Sequence, residues 1–336
     1  MILSYRHATA LAVALLANVD VGCGTALAAG QRSFVSTSGV DNPACSIAAP
    51  CRAFAAAITA TGPGGEIIVL DSGGYGPVTI PQSVSIIAAP GVYAGISVSS
   101  GHGVTITTAS TDTVVLRGLT INNQGSTGRG IFISGAGIVR IENVQVSGFT
   151  AASALNATPS DVLQLHIRDS VFRKSNFGIA LNYNNPAATM QISGTLVGVE
   201  ISNNNGDGLG MGNNTVMTLS RSIVIKNNGV GVGFVPAMGQ TNHLNVDNCE
   251  ISENTQGLYP GDTPGSTVLQ VSRSRIIGNG TGFAIGSNST TRIADNVIEN
   301  NGYGITLGAG TIETSGNNVV RGNANAEVLP PATPLK

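Results

Sequence analysis

Arg117, Glu142 and Arg168 fall 25 and 26 residues apart, and Arg140 and His166 stand two residues before the last two of them. Guanidinium, carboxylate and imidazole groups gathered in one groove suit an acidic sugar polymer. An Arg can pair with a sugar carboxylate. In a polysaccharide lyase an Arg or Lys also takes the proton, while carboxylates hold calcium. The catalytic candidates are therefore Arg117, Arg168, Arg140 and His166. Glu142 is a candidate for substrate binding, as are Phe132, Tyr183 and Tyr259, whose rings can stack on sugars. The same charges have a purely architectural use. Opposite charges ~4.8 Å apart on adjacent strands make ion-pair ladders, worth ~0–1 kcal/mol each when exposed, that chiefly fix register. Arg221 and Asp247 later in the same column, Glu250 with Arg275, and Glu299 with Arg321 fit that use.

These residues meet only if the chain stacks on itself at that interval. The phrase Φ-x-x-[Asn/Ser]-x-x-Gly-Φ-x-Φ, with Φ apolar, recurs as Phe172/Ser175/Gly178, Ile225/Asn228/Gly231, Ile251/Asn254/Gly257, Ile276/Asn279/Gly282 and Ile298/Asn301/Gly304. A worn copy follows at Val320/Asn323/Ala326. The glycines step by 53, 26, 25 and 22 residues, and a shifted copy, Ile201…Asn205/Gly208, divides the interval of 53. A period near 25 marks a repeat protein. Each unit holds short alternating strands, such as Gly130-Ile-Phe-Ile133 and Gly304-Ile-Thr-Leu307, with one apolar row inside and one row outside. Strands this short bury their faces only when one coil stacks on the next. Of the 30 Asn, 28 lie after residue 121, at corners where Asn tolerates left-handed backbone and its amide can bond to the next coil. Leucine-rich repeats lack support, because no regular Leu/Asn phrase is present, and propeller blades are far longer than 25 residues. The expected fold is all-β: a right-handed, single-stranded parallel β-helix of about 25 residues per coil.

On that fold, glycosidic hydrolysis would need carboxylates standing outward on neighbouring coils. The outward positions of the Gly-Φ-x-Φ strands are Phe132, Ala180, Gly210, Gly233, Tyr259, Ala284 and Thr306, none of them acidic. Paired Asp of the polygalacturonase type are missing, and Gly101-His102-Gly103, one fragment of that pattern, stands alone and early and fits a turn. The loops 150–161 and 235–242 carry mostly small or neutral residues.

With charged residues at 10%, aromatics at 4%, no Trp, 45 Gly and a net charge of −2, the chain is too apolar for disorder and too Gly-rich for a helical protein. No basic run suggests nucleic acid. Arg6 and His7, the apolar stretch 8–17 and Ala26-Leu-Ala28 read as an export signal cut before Ala29. That stretch is too short to span a bilayer. Lipoprotein processing at Cys23 is disfavoured by Asp20, where an aliphatic residue is wanted. Cys45 and Cys51 are expected to pair in an oxidising compartment, adding about 2–3 kcal/mol. Cys249 falls in a column with Ser170, Ser274, Asn296 and Asn318, as a small buried corner residue. No His or second Cys pair points to a metal. The chain divides into a signal peptide (1–28), a first strand, Cys loop and helix (29–62), the β-helix (63–327) and a Pro-rich tail (328–336) suited to blocking the last coil's edge.

Phe34-Val-Ser…Gly39…Asp41…Ala49-Pro50…Phe54…Ala57-Ile58…Gly65-Glu-Ile-Ile-Val…Gly74-Tyr75…Val78-Thr-Ile80 resembles the opening of exported bacterial pectin-lyase-like right-handed parallel β-helix proteins. That resemblance, over residues 33–325, implies that a helix near 50–58 caps the open N-terminal end of the solenoid. It implies a fold more than an activity, because the superfamily includes lyases, hydrolases, tailspikes and adhesins. Two functions follow. The preferred one is a non-catalytic exported β-helix, periplasmic, on the cell surface or extracellular, that binds carbohydrate or serves as an envelope element. The alternative is a lyase or hydrolase acting on an acidic polysaccharide, the one case in which calcium would be a cofactor. The expected partner is a polysaccharide, with no transmembrane segment and a monomeric state.

Overall fold

A computed structural model describes residues 30–325 except 136, 184–186 and 188–189. The expected signal peptide, Cys23 and the Pro-rich tail lie outside the described residues.

Among the described residues the chain winds as a parallel β-helix with three sheets of 12, 11 and 10 strands. One turn shows the plan. Gly137–Glu142 lies in the twelve-strand sheet, Gln145–Ser147 in the eleven-strand sheet and Ser153–Ala157 in the ten-strand sheet, before Leu163–Arg168 returns beside Gly137–Glu142. Every strand pairs in parallel with its counterpart one turn away. Alternation does the sorting: Val139, Ile141, Leu165 and Ile167 face inward and are buried, while Arg140, Glu142, His166 and Arg168 face outward. Each fully buried Ile or Leu contributes roughly 1.5–3 kcal/mol, so the stacked apolar rows outweigh any surface ion pair.

The corners follow from the polar residues. A single left-handed residue turns the chain from the twelve-strand to the eleven-strand sheet, as at Asn143, Asp169, Arg221, Asn248 and Arg273. The next corner is bound by a buried ladder of amides. Asn204 donates to Asn227 (2.8 Å), Asn227 to Asn254 (2.9 Å), Asn254 to Asn279 (3.1 Å), Asn279 to Asn301 (3.1 Å) and Asn301 to Asn323 (3.0 Å). In two turns the ladder residue is one earlier than the repeat phrase suggests. Asn204 and Asn227, not Asn205 and Asn228, carry it, and Val224, not Ile225, is the buried anchor paired with Ile201 and Ile251. These turns carry one extra residue between Asn and Gly, which a fixed spacing misses.

The same slip moves Arg221. The register partner of Asp247 is Ser220, so Arg221 does not share that column; it occupies the left-handed corner. Asp247 pairs with Arg273 instead, at 2.6 Å. The stretch 150–161, expected as a loop, contains the strand Ser153–Ala157 and completes a full turn. Its alternation was hidden by small side chains.

The helix spans Phe54–Ala60, later than the expected 50–58, because Cys51 is committed to a bridge with Val35 and to the disulfide with Cys45. Asp41 Oδ1 accepts the amides of Arg52 and Ala53 at 2.8 and 3.0 Å, satisfying N–H groups at the helix start. Phe54 and Ala57 are buried, and the helix packs on Gly30–Val35, Thr61–Val69 and Val78–Ile80, the first strands of the solenoid. Cys249 takes its expected place: buried, its amide bonded to Ser274, its thiol pushed up to about 11 by burial.

Candidate functional site

The twelve-strand sheet gathers the charged candidates. Arg140, His166 and Thr195 are successive register partners, as are Glu142, Arg168 and Val197. The six side chains form a two-by-three outward array lining a groove of about 250 Å³. Arg117 stands in register with Glu142 on the other side and takes its carboxylate, with Nε and Nη2 at 2.8 and 2.7 Å from Oε2. That pairing leaves Arg140 and Arg168 without a carboxylate partner among the described residues. His166 Nδ1 lies 3.0 Å from the Thr195 hydroxyl. The imidazole is held below its ordinary pKa of 6.5, first by burial and then by the charge of Arg140. A neutral imidazole between two unpaired guanidinium groups is the chemical content of this face. It can hold an anion, and one ring nitrogen stays available to donate or accept a proton according to tautomer.

Architecture claims the other charge pairs. Arg275–Glu250 (3.8 Å) and Arg321–Glu299 (3.2 Å) lie in register as expected. Arg32–Glu66, Lys226–Glu253 and Arg292–Glu313 make further rungs between adjacent turns that the column pattern had not suggested. Arg117, a catalytic candidate on sequence, belongs with these rungs and does not line the groove.

The aromatic candidates lie on another face. Phe132 and Tyr259 point outward from the ten-strand sheet, but five register steps part them, ~24 Å at ~4.8 Å per step. The guanidinium of Arg129, at the end of the preceding loop, sits 4.9 Å from the Phe132 ring centre, and His102 lies 4.8 Å away on the same ring. His102 Nδ1 accepts the Arg129 amide at 2.9 Å, so the Gly101-His102-Gly103 segment serves as a structural turn. Tyr259 bonds with Asp262. Tyr183 lies across Gly210 and donates its hydroxyl to Asp207. The structure thus brings Arg140, Glu142, His166 and Arg168 together and leaves Phe132, Tyr183 and Tyr259 apart from them.

Sequence reasoning passed over Asn156. It is the register partner of both Phe132 and Ala180, so it fills the outward row between them. That row therefore runs Phe132, Asn156, Ala180, Gly210, Gly233, Tyr259, still without a carboxylate. Among the described residues no cluster of three or more His, Cys, Asp or Glu is placed to hold a metal ion, and no helix is long and apolar enough to cross a membrane.

Solved structures similar to this chain include one, a pectate lyase, that shares the fold. Pectate lyase Pel9A superposes with a TM-score of 0.54 at 15% identity, covering 87% of this chain and 81% of the lyase. The Dettilon tailspike protein gives 0.47 at 15% identity over 76% of this chain and 56% of its own. A rhamnogalacturonan lyase gives 0.39 at 12% identity over 90% of each chain. No curated protein sequence matches at a significant level. The family model described as the right-handed beta helix region matches residues 153–325. With more than half of its length matched and all three sheets parallel, the chain belongs to the right-handed β-helix family.

Proposed function

We propose that this protein is an exported, non-catalytic β-helix that binds an acidic polysaccharide along the outer face of its twelve-strand sheet. The observation that carries this reading is the pair of unpartnered guanidinium groups, Arg140 and Arg168, flanking His166, while Glu142 is already taken by Arg117. Carboxylate or sulfate groups on a polymer would complete the ion pairs that the protein leaves open. Export is supported by the Cys45–Cys51 disulfide. Glycoside hydrolysis is disfavoured, because the only carboxylate in the array is engaged and the outward strand row from Phe132 to Tyr259 presents none among the described residues.

One observation favours a second reading, a lyase. The neutral His166 could take the proton α to a uronate carboxylate while Arg140 or Arg168 neutralises that carboxylate, and the bond to the leaving glycosidic oxygen breaks as the sugar double bond forms. A turnover screen separates the two. Purified protein is incubated with polyuronides and neutral glycans, with and without calcium, and unsaturated products and new reducing ends are scored. Non-catalytic binding predicts no product from folded protein; product formation would replace it with the lyase reading.

A further inference from the structure

The ten-strand sheet carries a second groove, on a different wall of the solenoid from Arg140 and His166. Its floor is Asn156 beside Ala180 in the next turn. Leu155 and Ala157 on either side of Asn156 face the core and are fully buried, so the alternation sends the Asn156 amide outward. Asn156 is only 7% exposed, and its Oδ1 has no hydrogen-bond partner. Six buried side-chain oxygens among the described residues share that state, and Asn156 Oδ1 is the one that lines this groove. A buried amide oxygen left unpaired is destabilising, and here it sits at the base of a space of about 300 Å³, the lower end of small-ligand sites.

The wall is aromatic and fixed. Phe177 and Tyr183 meet edge to face with ring centres 5.8 Å apart. Tyr183, just past the strand Phe177–Leu181, can lie flat because the residue beneath its ring is Gly210, where an added Cβ would come within 2.6 Å of the ring. Its hydroxyl is tied to Asp207, so the ring is what it offers to the groove. Asn176 and Arg129 complete the rim.

We propose that this groove is a saccharide subsite, in which the Asn156 amide bonds the hydroxyls of one sugar ring and the Tyr183–Phe177 wall packs on its C–H face. An amide both donates and accepts, which matches neighbouring hydroxyls that do the same. An apolar ligand would leave the amide unpaired, and an anion would meet its carbonyl oxygen. Arg129 is held over Phe132, so it forms an edge of the groove and not its centre. The ligand class is an uncharged sugar unit, on a different face from the acidic-polymer site and independent of it.

The test uses isothermal titration of the purified protein with cellohexaose, xylohexaose, mannohexaose and maltohexaose. The proposal predicts binding of at least one of them and a loss of roughly tenfold or more for Asn156→Leu. That variant keeps the shape while removing the unpaired amide oxygen, so its melting temperature should be unchanged or raised. Gly210→Ala, which displaces Tyr183, should weaken the same ligand. The Arg140→Ala/Arg168→Ala double variant should bind it as the parent does. Failure of all four oligosaccharides to bind would overturn the proposal. So would unchanged affinity of Asn156→Leu, or a drop of several degrees in its melting temperature.

Discussion

Arg140 stands directly opposite His166 in the neighbouring turn, both side chains outward, and the guanidinium charge adds to burial in keeping the imidazole neutral. Because the folded pKa lies below the unfolded 6.5, the stability this ring contributes is present above about pH 6.5 and is lost as pH falls through the folded value. NMR titration of His166 should give a midpoint below 6.5, and Arg140→Ala should move it up by removing the neighbouring charge. A midpoint at or above 6.5, or one indifferent to Arg140, would refute this coupling.

The Asn ladder should outweigh the ion-pair ladder. Asn227→Ala removes the acceptor of Asn204 and the donor to Asn254 inside the corner, leaving buried groups unpaired at a cost of about 2–4 kcal/mol. Arg275→Ala opens an exposed 3.8 Å pair and should cost under ~1 kcal/mol. Urea unfolding of both variants checks the order, and equal losses would contradict it.

Gly194 is a strand residue with φ +152°, facing inward between Leu165 and Met217. An added Cβ would collide with the Leu165 carbonyl. Gly194→Ala should therefore lower the melting temperature by more than any exposed-charge variant, with a cost above ~2 kcal/mol. A melting temperature within a degree of the parent would show that the turn relaxes freely.

Near the N-terminal end, Asp71 accepts hydrogen bonds from Tyr75, Thr37 and Ser36, and the Tyr75 hydroxyl foremost holds its carboxyl down at about 2. A depressed carboxylate stabilises the fold above its unfolded pKa of ~4 and loses that contribution as pH falls toward 2. Asp71→Asn should be less stable than the parent at pH 5, and the gap should narrow by pH 2.5. A gap that stays constant would rule out this ionisation as the cause.

The fold was legible because its signals are periodic. The Gly-Φ-x-Φ strands, the corner Asn residues and the Arg117–Glu142–Arg168 column each repeat at the solenoid's own interval, and stacking turns interval directly into contact. Legibility failed where one residue was added: the Asn-x-x-x-Gly turns moved the ladder to Asn204 and Asn227 and took Arg221 out of the Asp247 column. It failed again at Ser153–Ala157, whose small residues gave no apolar alternation, and with that strand went Asn156. Arg140, Glu142, His166 and Arg168 could be grouped from sequence because two residues on a strand share a face and one period on shares a column. That Glu142 pairs with Arg117 and leaves Arg168 open depends on side-chain geometry that spacing does not encode.

The central claim is that the Arg140–His166–Arg168 face holds an acidic polymer without cleaving it. The most direct measurement is a titration of the protein with polygalacturonate at low and high salt, with the unsaturated product followed in the same samples. The account predicts saturable binding that weakens with salt, strengthens only as pH falls below 6.5, where His166 gains a proton, and is lost in Arg140→Ala/Arg168→Ala, with no product. Binding that survives the double variant, or product that accumulates, would contradict it.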